Sequence, residues 1–240
     1  MRRDPRPFWM YRLNRWFEHR YAAWRVVPYM DRLGPNWRMA KPWAIRMFGA
    51  GIEAGASLHI IASQDAMVRL TCWAPPGGAA QITFGDACLI TPSCRIMAGE
   101  RITIGSGCMF GHGATLTDCD WHGVFDRTEV HGLTKPVVLG DNVWVGDGAF
   151  IGKGVSVGDN AVIGARAVVT SDIPANTIAV GNPAKVVRTF DPAEIIRTRS
   201  DMFADAVGVE RYFDAAYQET LKDNSLLSWL RTKLAPNRSD

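Results

Sequence analysis

Residues 139–174 read LGDNVW VGDGAF IGKGVS VGDNAV IGARAV VTSDIP, six consecutive six-residue units without a slip. An aliphatic residue opens every unit (Leu139, Val145, Ile151, Val157, Ile163, Val169) and glycine follows in the first five. A small or β-branched residue takes fifth place. A period of six fits neither the ~3.6 of an α-helix nor the plain alternation of one long strand. It predicts very short strands separated by turns, each unit one flat side of a three-sided coil. The opening aliphatics would stack in columns inside, and the second-place glycines would serve turns of unusual φ/ψ. Such a coil stacks its strands in parallel and buries each layer on the next, so it needs several turns to hold together.

The pattern runs upstream less cleanly. FGDACL, ITPSCR and IMAGER open at Phe84, Ile90 and Ile96; IGSGCM, FGHGAT and LTDCDW open at Ile104, Phe110 and Leu116; IEAGAS and LHIIAS open at Ile52 and Leu58. Two interruptions are read, one at roughly 64–81 around PPGG and a long one at 117–138 that contains DCDWHGVFDR. Cys88, Cys94 and Cys108 all fall in fifth place, where a buried thiol acts as a small hydrophobe. The five cysteines form no CxxC pair, so neither a zinc ribbon nor a disulfide framework is indicated, and a reducing cytoplasm is expected.

The flanks differ in composition. Residues 1–46 hold eleven Lys/Arg against three Asp/Glu, and five of the nine tryptophans, within a chain whose formal net charge is +3. Trp9, Leu13, Trp16, Phe17, Arg20 and Trp24 recur at helical spacing, which predicts an amphipathic helix in an arm broken by Pro28, Pro35 and Pro42. No apolar h-region follows the basic start and no run of eighteen apolar residues exists, so neither a secretory signal nor a membrane span is expected. Beyond the last unit, Asp191 is the expected N-cap of a helix with Pro192 at its first position and Glu194 at N3. Two or three short helices are expected over 192–234, the last being LLSWLRTKL.

The unbroken units from 139, the Trp144-Val145 dipeptide within DNVWVGDGA and the closing VTSDIPANTIAVGNPAKVVR resemble the hexapeptide-repeat acyltransferases. The likeness is to the branch of galactoside, maltose and polysaccharide O-acetyltransferases, and it covers about 49–189. It implies an all-β core, a left-handed parallel β-helix, which the helical N-terminal arm (1–48) and helical C-terminal extension (190–240) read above would flank. The left-handed sense comes from the family alone, since general chirality favours right-handed crossovers. The resemblance further implies acetyl-CoA or another acyl-CoA as co-substrate, a saccharide or small-molecule acceptor, and a homotrimer with CoA between neighbouring prisms. No metal and no nucleic-acid partner are expected.

Carried over by position, the resemblance places a catalytic histidine in the long loop at 117–138, at His122, with Asp120 or Asp118 as its orienting carboxylate. It places the CoA wall at Trp144, Asp147, Ala165, Thr170, Lys185 and Arg188. Asp147 stands where galactoside-type members have serine, and Lys185 where they have arginine, which keeps the charge but loses a bidentate fork. Thr91-Pro92-Ser93 replaces a sugar-binding asparagine, so the acceptor is not carried over. The chemistry suits the residue types: acyl transfer to a hydroxyl needs a base titrating near neutrality, donors for an oxyanion and both substrates held in reach. His131 is the second candidate base. His112, His59 and His19 sit in the coil or the arm. Asp126 and Arg127 suit turn hydrogen bonds within the loop.

Two other readings of the scaffold stay open at this level. One is a metal-dependent hydratase like the γ-class carbonic anhydrases, for which His112, His122 and His131 are the local histidines. The other is a non-catalytic trimeric scaffold. The arm could pack on the prism or lie on an anionic membrane surface, which would make the protein peripheral at the inner face.

Overall fold

The structure is a computed structural model that describes residues 4–75, 77–130, 132–191 and 193–235. Helix α1 (Phe8–Arg25) leads into a coil of parallel strands. The first turn of the coil is β1 (Arg32–Leu33), β2 (Arg38–Ala40) and β3 (Ile45–Phe48); the second is β4 (Ile52–Ala54), β5 (His59–Ile61) and β6 (Val68–Cys72). The third comprises β7 (Gln81–Phe84), β8 (Leu89–Ile90) and β9 (Arg95–Ala98), and the fourth β10 (Arg101–Ile104), β11 (Met109–Phe110) and β12 (Thr115–Thr117). After the long loop come β13 (Val137–Leu139), β14 (Trp144–Val145) and β15 (Phe150–Ile151), then β16 (Ser156–Val157), β17 (Val162–Ile163) and β18 (Val168–Val169). Strand β19 (Thr177–Val180) adds to β17, and β20 (Lys185–Thr189) turns back antiparallel on it. Helices α2 (Arg199–Phe203), α3 (Ala206–Leu221) and α4 (Leu226–Leu234) follow.

Every third strand pairs, so the chain winds three flat faces: β1-β4-β7-β10-β13-β16, β2-β5-β8-β11-β14-β17-β19-β20, and β3-β6-β9-β12-β15-β18. Val138 faces Ser156, eighteen residues on, as the six-residue period requires. The architecture is a left-handed parallel β-helix. Its core is the predicted set of columns. Phe84, Ile104, Leu139 and Val157 stack under the first face, Ile60, Ile90, Phe110, Val145 and Ile163 under the second, and Leu70, Ile96, Leu116, Ile151 and Val169 under the third, none more than 2% exposed. Each such side chain removed from water contributes ~1.5–3 kcal/mol. Cys88, Cys94 and Cys108 are fully buried among them.

The structure corrects the reading of the turns. Positive φ falls in fourth place, at Asn142 (56°), Gly148 (65°), Gly154 (74°), Asn160 (58°) and Arg166 (59°), and not at the second-place glycines. Second place is instead where successive turns press together: a Cβ on Gly146 would lie 2.7 Å from the backbone nitrogen of Ala165. Third-place carboxylates then tie the turns. Asp141 accepts from the Ser106 N–H at 2.7 Å, Asp159 from Asp141 at 2.8 Å, and Asp147 from His112 at 2.9 Å. A fourth-place ladder runs beside them, Asn142 Nδ2 to Asn160 Oδ1 at 3.0 Å and Asn160 Nδ2 to Asn176 Oδ1 at 2.8 Å.

Three further corrections concern extent. The coil begins at Arg32, so 32–48 of the expected arm is its first turn, joined by Arg32 opposite Glu53 and Arg38 opposite His59. β6 lies within the expected interruption at 64–81 and pairs with β3 and β9. No helix starts at Asp191: its carboxylate accepts from the Ala193 N–H and Glu194 reaches back to its N–H, but the backbone stays irregular until Arg199. Pro192 lies outside the described residues.

Candidate functional site

The long loop leaves the prism after β12 and rejoins it at β13. Its neck is a short antiparallel contact, Cys119 bridging Thr134, with the Asp120 N–H donating to Leu133 O at 3.1 Å and the Lys135 N–H to Asp118 O at 2.8 Å. Asp118 anchors the neck. Its fully buried carboxylate accepts the backbone N–H groups of Gly99, Glu100 and Arg101 at 2.6, 2.9 and 2.6 Å, which fixes the loop to the corner between β9 and β10. Cys119 is buried beside it, and burial followed by the Asp118 charge pushes its thiol up, so it is a poor nucleophile. At the tip, Asp126 accepts from both the N–H and the hydroxyl of Thr128, a local turn.

His122 stands out on this loop, exposed over the third face. With Trp121 and Val130 it closes a cavity of about 390 Å³ whose floor is Thr71, Trp73, Arg95 and Met97. The stacking of β6 on β9 puts Thr71 opposite Met97 and Arg69 opposite Arg95, and Trp73 sits 6.1 Å from Trp121 between ring centroids. Arg46 continues the arginine column on β3, opposite Arg69. This wall of aromatic, thioether and guanidinium groups was not foreseen. Its arginines lie 23 and 26 residues apart, so the inserted turns hide their stacking from the period.

Asp120 does not hold the imidazole. Both of its oxygens meet Lys153 Nζ, at 2.7 and 2.6 Å, and among the described residues no carboxylate hydrogen-bonds the His122 ring. The pair ties the loop to the turn after β15. His131 lies outside the described residues. Among the described residues no group of three His, Cys, Asp or Glu could hold a metal ion.

The expected CoA wall lies elsewhere on the prism. Trp144, half exposed on β14 of the second face, lines a cavity of about 500 Å³ with Met109, Asn160, Val162, Arg188 and the segment 194–197. Arg188 is paired with Glu194 at 2.6 Å and its guanidinium sits 5.9 Å from the Phe190 ring. Lys185 is exposed on the same strand, β20, outside the lining of this cavity. Asp147 and Ala165 are exposed at the corner between the second and third faces, and Thr170 is exposed just past β18. Within one chain, therefore, His122 and Trp144 line different cavities.

Comparisons with known proteins bear on the repeat and the fold. The sequence family described as bacterial transferase hexapeptide (six repeats) matches residues 136–171. That match falls on the unbroken six-residue units, whose strands stack in parallel as a hexapeptide-repeat β-helix. A Schizosaccharomyces pombe protein named for acetyltransferase activity is 38% identical over 109 residues, 45% of this chain and 52% of the relative. The polysialic acid O-acetyltransferase of Escherichia coli O1:K1 is 36% identical over 115 residues, 41% of this chain and 38% of the relative. The chain thus spans about half the length, or less, of these curated relatives. Among solved structures, the Bacillus cereus N-acyltransferase AntD, in complex with dTDP and 3-hydroxybutyryl-CoA, superposes with a TM-score of 0.54 at 16% identity, covering 78% of this chain and 93% of that one. At that identity the likeness is one of fold.

Proposed function

We propose that the protein is an acyl-CoA-dependent acyltransferase that moves an acyl group, acetyl in the simplest case, onto a hydroxyl of a saccharide or cell-envelope precursor. The observation that carries this reading is the placement of His122, held by a pinned loop over a groove whose walls suit a sugar. Trp73 and Trp121 offer ring faces, and Arg95, with Arg69 and Arg46 behind it, favours an acceptor bearing carboxylate or phosphate groups. The two curated relatives named for acetyl transfer support the reaction class, and the relative acting on polysialic acid supports a hydroxyl on an acidic glycan.

In the proposed step the neutral imidazole of His122 takes the acceptor hydroxyl proton as the oxygen attacks the thioester carbonyl. A C–O bond forms, the C–S bond breaks, and the proton passes to the departing thiolate, leaving free CoA thiol. Acyl-CoA would lie along the second face, its phosphates near Lys185 and Arg188 once Arg188 leaves Glu194. Because that wall and the His122 groove are separate within one chain, the complete site joins the loop of one copy to the wall of a neighbour, in a homotrimer. The apolar loop tip, with Phe125 fully exposed and Val124 68% exposed, suits such a contact.

Two measurements test this. Acetyl-CoA thiol release is followed with pools of neutral sugars, acidic oligosaccharides and amino sugars; AntD, named as an N-acyltransferase, makes the amine arm necessary. The expected result is release dependent on an acidic saccharide, and the absence of release with every pool would sink the enzymatic reading. Co-assembly of His122→Ala subunits with Lys185→Ala/Arg188→Ala subunits should then restore activity that neither variant shows alone. A mixture no more active than its parts contradicts the shared site.

A further inference from the structure

Helix α1 packs along the side of Tyr11, Arg15, Glu18 and Ala22 and leaves the side of Trp9, Leu13 and Trp16 open. Tyr11 and Ala22 are buried, Tyr11 stacks on Tyr217 at 4.4 Å, His19 stacks on Trp37 at 4.3 Å, and Arg15 bridges Glu210 and Asp214 at 2.5 and 2.6 Å. Glu18 accepts the Lys41 N–H at 3.0 Å. These contacts seat the helix on the first turn of the coil and on α3. Four residues read from the sequence as its apolar stripe point the other way: Trp9, Leu13, Trp16 and Trp24 are 54%, 55%, 61% and 70% exposed, whereas Phe17 leans with Tyr21 toward Trp43 of the first turn, ring centroids 6.5 and 6.1 Å away. Arg12, Arg20 and Arg25 are exposed on the same helix, and no exposed residue of α1 is Asp or Glu.

Helix α4 repeats the pattern. Leu226, Leu227, Leu230 and Leu234 are 46%, 78%, 39% and 83% exposed, Arg231 and Lys233 are exposed with them, and the helix holds no acidic residue. The two helices begin side by side. Asn224, just before α4, donates through Nδ2 to the carbonyls of Asp4 and Arg6, just before α1, at 2.7 and 2.9 Å.

An outward apolar face of this size is normally covered by something. A second copy placed face to face would set Arg12 and Arg20 against the same arginines with no exposed carboxylate of α1 or α4 between them, an unfavourable arrangement for an isologous contact. Tryptophan and leucine flanked by arginine and lysine match instead the layered chemistry of a bilayer surface, with rings at headgroup depth, aliphatic tips below and cations on anionic phosphates. Neither helix is long and apolar enough to cross a membrane. We propose that α1 and α4 form one docking surface that lies in the interfacial plane of an anionic bilayer. This inference stands apart from the acyltransferase reading, because no residue of the His122 groove or the Trp144 wall takes part.

The test is co-sedimentation of the full chain with phosphatidylcholine vesicles, with and without phosphatidylglycerol, alongside sedimentation velocity without lipid. Binding is expected only with phosphatidylglycerol, weakening as salt rises. Trp16→Glu combined with Leu227→Glu should remove it, and Arg12→Gln with Arg20→Gln should lower the partition coefficient by ~10-fold or more while the protein stays folded by circular dichroism. Wild-type protein that stays in the supernatant with both vesicle types overturns the proposal. So does a Trp16→Glu/Leu227→Glu variant that still binds vesicles as wild type does. If that variant instead breaks the oligomer while wild type ignores lipid, the face belongs to a second copy.

Discussion

Along the coil from 139 to 174, neighbouring units do the same thing: Val145, Ile151 and Ile163 each fill one layer of an inner column. Across the loop at 118–136, neighbouring residues do different things. Asp118 binds three backbone N–H groups of another corner, Asp120 pairs with Lys153, and His122 stands free over a groove. The coil spreads its stability over many equivalent positions, as solenoids do. The loop concentrates its geometry in single residues. A substitution in the coil should therefore cost stability in proportion to its layer, whereas a substitution in the loop should change one property and spare the rest.

The largest expected loss of stability breaks this contrast at its hinge. Asp118→Ala leaves three backbone donors unpaired at a buried corner and should cost ~4 kcal/mol by urea unfolding, since bonds to charged acceptors contribute ~1.5–3 kcal/mol each and do not add fully. A cost near that of a surface substitution would mean the neck does not depend on it.

Next is a coil position that departs from the repeat. Burial, followed by the charges of Arg199 and Arg38, pulls the His59 imidazole down from 6.5 to about 4. Its folded value lies below its unfolded one, so the stability it contributes is full above the unfolded value of 6.5 and is lost as pH falls toward about 4. Wild type should lose up to ~3 kcal/mol across that window from this group, and His59→Gln should flatten the profile. Parallel profiles for the two proteins would refute the assignment.

Gly146→Ala follows at ~2 kcal/mol, because its methyl group would press on the backbone of the next turn 2.7 Å away. Asn160→Ala, which removes one rung of the asparagine ladder, should cost ~1 kcal/mol, read as a shift in thermal midpoint.

The same contrast explains what was legible in the sequence. A period is visible because equivalent layers need equivalent residues, so the three faces and the inner columns followed from 139–174. The first turn escaped notice although Leu33-Gly34-Pro35-Asn36 has the form of a unit, because the next two sides carry Ala40 and Phe48 in second place, and Trp37 and Trp43 resemble the arm before them. The second-place glycines were seen but given the wrong reason. Nothing in one unit reveals that the next turn lies against it, whereas Asn142 and Asn160 in fourth place, residues that tolerate left-handed backbone, held a signal that was not read. His122 was legible because it sits where the repeat breaks. Its surroundings were not, since Lys153 reads as an ordinary third-place residue and reaches Asp120 only through the stacking of turns. The outward stripe of α1 had the right spacing, but spacing alone does not say which side is covered.

The most direct test of the central claim, that the loop exists to hold a base, is steady-state turnover of His122→Ala beside calorimetric affinity for acetyl-CoA. The account predicts a fall in kcat of ~10²- to 10⁴-fold with CoA affinity nearly unchanged, and a far smaller fall for His131→Ala. A His122→Ala protein that folds, binds acetyl-CoA and turns over at the wild-type rate would contradict it.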